Sequence, residues 1–197
     1  TAYPFASQNR KDFFNLLDVY LDATFFSRLD PLDFAQEGHR LEFEQPDDPS
    51  TPLCYRGVVY NEMKGAMSSP TSLLWQTLTR HLYPTTTYHF NSGGEPDCIP
   101  QLSHAQLLDF YRDHYHPSNA IFMTFGNLPV AELQQRFEQQ ALHRFDRREI
   151  MLPLHDEQRF HAPVKVLEYY PTEAEADEVD RTHLVIGWLL GHCTDLD

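Results

Sequence analysis

From Asn9 onward, apolar side chains recur at three- and four-residue steps: Phe13, Leu16, Leu17, Tyr20, Leu21 and Phe25. That spacing predicts an amphipathic helix with one face on a core, started by Asn9 or Gln8. Thr1 to Phe5 reads as the end of a strand. A shorter helix is expected from about Leu32 to Arg40, followed by LEFE and the polar, proline-rich turn QPDDPSTP. The segment from Gly57 to Leu82 then carries Val58, Val59, Met63, Leu73, Leu74, Trp75, Leu78 and Leu82. Gly65 and the Ser68-Ser69-Pro70 stretch interrupt it, which predicts two helical pieces or one kinked rod.

Loop chemistry dominates from Pro84 to Pro100, where Gly93-Gly94 and two prolines fall. Ser103 and Gln106 have the spacing of a capping box and predict a helix to about His114. The run AIFMTFG, residues 120–126, reads as a buried strand, and Pro129 opens a further helix to about Arg144. Residues 144–163 form a connector. Beyond it VKVLEYY, residues 164–170, and residues 183–190 read as two strands separated by the acidic TEAEADEVD. Strands alternating with long helices predict an α/β or α+β sandwich, a mixed sheet with helices laid on one face. This divides the chain into an α/β domain over 1–143, the connector, and the start of a second α/β domain over 164–197.

Composition narrows the function classes. The 197 residues include 15 Lys plus Arg against 29 Asp plus Glu, a formal charge of −14, with 41% hydrophobic residues. This suits a well-packed globular chain. It argues against nucleic-acid binding, because affinity for polyphosphate comes largely from Lys and Arg displacing counterions. The longest apolar run, Leu184 to Leu190, is far shorter than the roughly 20 residues of a membrane helix. Cys54, Cys98 and Cys193 are too few and too widely spaced for a disulfide framework, which favours a reducing compartment. The chain begins at Thr1 without a signal-peptide pattern, as expected of a piece of a longer protein.

Residue chemistry by itself identifies no reaction. None of the histidine spacings is three or four, so neither His-Glu-x-x-His nor its inverted form His-x-x-Glu-His is present. Both place two imidazoles one helical turn apart beside a carboxylate that activates metal-bound water. The pair His114 and His116 precedes Pro117 and suits a helix C-terminus. No phosphate-binding glycine loop and no Gly-x-Ser-x-Gly elbow occurs, and nothing in the sequence activates Cys54 or Cys98.

Several longer blocks carry a resemblance. GVVYNEMKGAMSSP, residues 57–70, looks like the glutamate-bearing helix of the pitrilysin/insulinase-type inverted zinc metallopeptidases, specifically the presequence protease branch. ASQNRKDFFNLLDVYLDATFF, FAQEGHRLE, FNSGGEPDCIPQLS and YHPSNAIFMTFGN resemble the same branch in the same order. The similarity covers most of residues 1–143 and fades after the connector. It implies a fold like one pitrilysin-type half-domain, plus the beginning of a second.

In that family a His-x-x-Glu-His helix supplies two zinc ligands and the general base, and a distant downstream glutamate completes the site. The resemblance places that glutamate at Glu62 and assigns no catalytic residue to this chain, since the inverted motif would lie upstream of Thr1. It implies a zinc metalloendopeptidase as the parent protein, acting on short unfolded peptides such as targeting peptides. The partners implied are those peptides and the remainder of the same polypeptide, without nucleic acid or membrane. The home implied is a bacterial cytoplasm or a mitochondrial or other organelle matrix. The isolated chain is expected to be inactive. The alternatives are a noncatalytic structural member of the superfamily and a peptide-binding module.

Overall fold

Arg10–Phe25 form α1, and its start is set by Asn9, whose side-chain oxygen accepts from the backbone N–H groups of Lys11 and Asp12. The three-and-four spacing has its expected consequence: Leu17, Leu21 and Phe25 are the buried residues of this helix. They meet Leu133 and Ala141, and Phe5, Phe13, Phe14, Phe26, Phe122, Leu128, Phe137 and Phe145 pack around that cluster.

The computed structural model describes residues 1–152, 155–172 and 179–191. The chain forms two compact units, one from Thr1–Pro31 with Ser103–Leu152 and one from Leu32–Leu102 with Pro153–Asp197. The cluster just described is the core of the first unit. There α5, His104–His114, opens with the predicted capping box: the Ser103 hydroxyl accepts from Gln106 N–H and the Gln106 side chain accepts from Ser103 N–H. Tyr111 ties α5 to the end of α1, its hydroxyl donating to the Thr24 carbonyl at 2.7 Å and accepting from Ser27 N–H at 3.0 Å. α6, Val130–Gln140, follows Pro129 as expected and continues into a 3-10 turn at Leu142–Arg144. Arg136 of α6 forms a two-pronged ion pair with Asp18 of α1.

The second unit begins at Leu32, inside the short α2, Pro31–Asp33, and a π-helical turn over Phe34–Gly38 follows. The helix expected to reach Arg40 therefore ends earlier, because Arg40–Phe43 forms strand β1. The proline-rich turn joins β1 to β2, Leu53–Arg56, in an antiparallel hairpin that pairs Leu41 with Tyr55 and Glu42 with Cys54. Two helices come next, α3 over Val58–Ala66 and α4 over Pro70–Leu82. The break between them falls at Ser68-Ser69-Pro70, where Pro at the first helical position starts a new helix. Gly65 lies inside α3 and does not interrupt it.

Helix and strand are thus mixed, with six α-helices and one two-stranded sheet among the described residues. The strands expected at Thr1–Phe5, 120–126, 164–170 and 183–190 are not formed there. A strand needs a neighbour to bond its backbone groups, and these segments have none in the described residues. Phe5 and Phe122 instead join the aromatic core of the first unit. Ile121, Met123 and Phe125 are left 97%, 90% and 101% exposed. In the second unit Gly187 rests against Leu78 and Leu82 of α4. Part of the acidic segment, residues 173–178, lies outside the described residues.

Candidate functional site

The position of Glu62 follows from how α3 begins. Strand β2 ends at Arg56, and the next residue, Gly57, is buried at φ +156°. A Cβ placed on Gly57 would lie 2.1 Å from the Gly38 carbonyl oxygen and 2.9 Å from the His39 Cα. Real side chains do not approach backbone that closely, so only glycine lets the hairpin exit pass under the Phe34–Gly38 turn. That turn is itself held. The His39 ring sits edge-on to Phe34 and Tyr55, with Nε2 2.8 Å from the Leu102 carbonyl oxygen. The Gly57 carbonyl then accepts from Asn61 N–H at 3.0 Å, closing the first turn of α3.

The helix has two unlike faces. Tyr60 and Met63 are half-buried, Tyr60 against Tyr55 and Met63 against Gly93, where a Cβ would collide with the methionine sulfur. Just past the helix, Met67 accepts from the Asn91 amide at 3.4 Å. The opposite face is open to solvent. It presents Val58 and Val59, 43% and 38% exposed, with Glu62, Gly65 and Ala66 also exposed. At 3.6 residues per turn, positions 58, 62, 65 and 66 share one stripe. The Glu62 carboxylate makes no hydrogen bond or ion pair with any described residue.

A carboxylate oxygen is an acceptable zinc donor, but a zinc site takes three or four protein ligands. Among the described residues no group of three or more His, Cys, Asp or Glu side chains is placed to hold a metal. The residues present therefore fit one corner of a metal site and not a whole one. Other candidate residues are committed elsewhere. His116 accepts from Ser118 N–H through Nδ1 and lies edge-on to Phe145; partial burial and then the Arg148 charge lower its pKa. His116 thereby caps the 3-10 turn Pro117–Asn119, whose Asn119 donates to the His114 backbone carbonyl at the end of α5, and the His114 ring lies against Phe110. The Cys54 sulfur is 3.5 Å from the Glu42 carbonyl, Cys98 is exposed, and Cys193 lies outside the described residues.

Gly38 and Gly57 are the site residues that periodicity does not reveal. Their signal is two glycines on either side of a hairpin; a side chain is excluded at Gly57, while one at Gly38 would meet Phe34 only at ordinary contact distance. Among the described residues no helix is long and apolar enough to cross a membrane.

Comparison with known proteins adds the remaining findings. Residues 101–195 match the family described as Peptidase M16 inactive domain. The chain is 46% identical over 99% of its length to the mitochondrial presequence protease of Danio rerio, covering 19% of that protein. It is 39% identical over 96% of its length to presequence protease 1, chloroplastic/mitochondrial, of Arabidopsis thaliana, covering 18% of it. It is 36% identical over 99% of its length to protein HypA of Clostridium perfringens, covering 20% of it. The chain spans about a fifth of the length of these curated relatives.

Proposed function

Because this chain belongs to the M16 peptidase family, on its presequence protease branch, we propose that it supplies Glu62 as the distal glutamate ligand of a zinc metalloendopeptidase. The observation that carries the reading is the uncommitted Glu62 carboxylate on the outward stripe of α3, within the block that carries the family resemblance. Zinc bound there would supply Lewis-acid activation of water for attack on a peptide carbonyl. The part played by this chain is to hold the metal: the Glu62 carboxylate would donate an oxygen, while Gly57 and the Phe34–Gly38 turn fix where α3 starts. The family match begins at residue 101, past Glu62, so the region described as an inactive domain is not the one that bears the ligand.

In this reading residues 1–143 are the later part of one pitrilysin-type α/β domain, 144–163 a connector, and 164–197 the start of the next. The segments 120–126, 164–170 and 183–190 are strands of sheets completed by the rest of the polypeptide. Substrates are short unfolded peptides of the targeting-peptide kind, and the acidic balance favours basic ones. The home is an organelle matrix or, in a bacterium, the cytoplasm; the mitochondrial and chloroplastic designations of the animal and plant relatives support the organelle. The chain alone, with one ligand, is inactive.

The test is Glu62→Gln in the full-length protein. Bound zinc and peptide cleavage are expected to fall together, with the thermal transition of the metal-free protein unchanged. Full zinc content in that variant removes Glu62 from the site. A noncatalytic member of the superfamily would bind no zinc with Glu62 intact.

A further inference from the structure

The first unit has a cleft between α1 and α6, about 600 Å³ in volume, whose charge runs against that of the chain. Three cations line it, Arg10 and Lys11 from α1 and Arg136 from α6, against the single carboxylate of Glu132, in a chain of net charge −14. The other polar groups facing it are carboxamides: Asn15, Gln135 and Gln139 are exposed, and their side chains bond no described residue. Phe14 supplies the apolar part, with the Arg10 guanidinium 5.7 Å from its ring centre.

The two arginines are held in place by the unit's own carboxylates. Arg10 pairs with Glu132, and Arg136 pairs with Asp18 through Nε and one terminal nitrogen. A guanidinium has five N–H donors, so each keeps donors for a second carboxylate. Because Glu132 holds Arg10 and Arg136 stands one turn further along α6, the two anchor points are about 6 Å apart along that helix. Alternate residues of an extended chain are spaced by about 6.6 Å, which matches. Lys11 makes no ion pair with any described residue and adds a free charge at the Arg10 end. The carboxamides narrow the ligand further. A small anion uses donors only, whereas each carboxamide offers a donor and an acceptor, the two groups that a peptide unit presents.

We propose that the cleft between α1 and α6 binds an acidic segment of a partner protein in extended conformation. Acidic side chains two positions apart meet Arg10 and Arg136, and the backbone around them bonds Asn15, Gln135 and Gln139. Charge complementarity identifies the occupant, since a basic peptide is repelled by the three cations. The cleft therefore takes a different class of ligand from the substrates proposed above, and the proposal is independent of the reading of Glu62.

The experiment is fluorescence anisotropy on the full-length protein, freed of metal by a chelator so that peptides stay intact. The labelled probes are Ser-Asp-Ser-Asp-Ser, its isomer Ser-Asp-Asp-Ser-Ser, and the neutral Ser-Asn-Ser-Asn-Ser. The alternating acidic peptide is expected to bind more tightly than its isomer, and the neutral peptide not detectably. Lys11→Glu should weaken that binding about 10-fold, the scale of one hydrogen bond to a charged group, and Gln135→Ala combined with Gln139→Ala by about the same factor. Lys165→Glu makes the same charge change in the second unit and should leave the affinity unchanged. All four side chains are exposed, and an unchanged thermal transition checks that each variant is folded. No binding of the alternating peptide, equal binding of the two acidic isomers, or displacement by inorganic phosphate as readily as by the unlabelled peptide overturns the proposal. So does an affinity that the Lys11 and glutamine variants leave untouched, or that Lys165→Glu lowers as much as Lys11→Glu.

Discussion

The same substitution at two glycines of one segment should move stability in opposite directions. At Gly57 an alanine Cβ would lie 2.1 Å from the Gly38 carbonyl oxygen, where ordinary contact begins at about 3.4 Å. The Gly38–His39 backbone must retreat by roughly an ångström, and such overpacking costs about 1–3 kcal/mol. The backbone at φ +156° adds strain of about 1–3 kcal/mol for a residue other than glycine. Mid-range values give about 4 kcal/mol, a large part of the ~5–15 kcal/mol that holds a typical domain together. At roughly 3 °C per kcal/mol for a chain of this size, Gly57→Ala lowers Tm by about 12 °C. At Gly65 the same methyl enters open space on a helical backbone, and Gly65→Ala raises stability by up to about 1 kcal/mol, or ~3 °C. Both variants of the 197-residue chain are measured by thermal unfolding followed by circular dichroism. A Gly57→Ala transition within about 2 °C of the parent's, less than 1 kcal/mol in a chain of this size, would refute the steric account of how α3 is placed.

Two further outcomes follow from other parts of the molecule. Burial by itself raises the Glu157 carboxyl, but donors from Thr85, Gln158 and Thr86 outweigh it and hold the pKa at about 2. A depressed carboxylate stabilises the fold above its unfolded pKa, and that stabilisation is lost as pH falls through the folded value. Residues 85–86 should therefore keep their contact with Glu157 down to near pH 2, read as the Glu157 carboxyl titration by NMR; an ordinary carboxylate midpoint contradicts it. The exposed Ile121, Met123 and Phe125 make an apolar edge of the kind that pairs with other chains. The isolated chain should self-associate with rising concentration in sedimentation velocity, and Ile121→Lys with Phe125→Lys should restore the monomer. Self-association unchanged by both lysines would place the sticky surface elsewhere.

What the sequence made legible was local. The α1 face, the Asn9 cap, the Ser103–Gln106 capping box and the break at Pro70 depend on residues a few positions apart, and each is found where the spacing predicts it. The expected strands are not formed in this chain for a non-local reason: AIFMTFG has the composition of a strand, but a ladder exists only where a second strand lies alongside. The hairpin of β1 and β2 formed because its partner is brought back by a proline-rich turn within the same stretch. The Phe34–Gly38 turn likewise ended a helix that local propensity extended to Arg40, because Arg40 is drawn into pairing with Arg56.

Glu62 illustrates the opposite limit. No spacing rule distinguishes it from any exposed helical glutamate, since its would-be fellow ligands are not neighbours in this sequence and the described residues assemble no cluster around it. Only the resemblance singled it out. Its surroundings are nonetheless unlike those of a solubilising surface residue. A glutamate serving only hydration is better placed beside a lysine one turn away, where each exposed pair adds about 0.3–0.5 kcal/mol. Here the neighbours one turn away on either side are Val58, Val59, Gly65 and Ala66, none of which can pair with a charge. A helix that leaves its one carboxylate unpaired amid apolar residues, and carries a destabilising glycine beside it, is poorly suited to hydration alone, and this favours the proposed ligand role of Glu62.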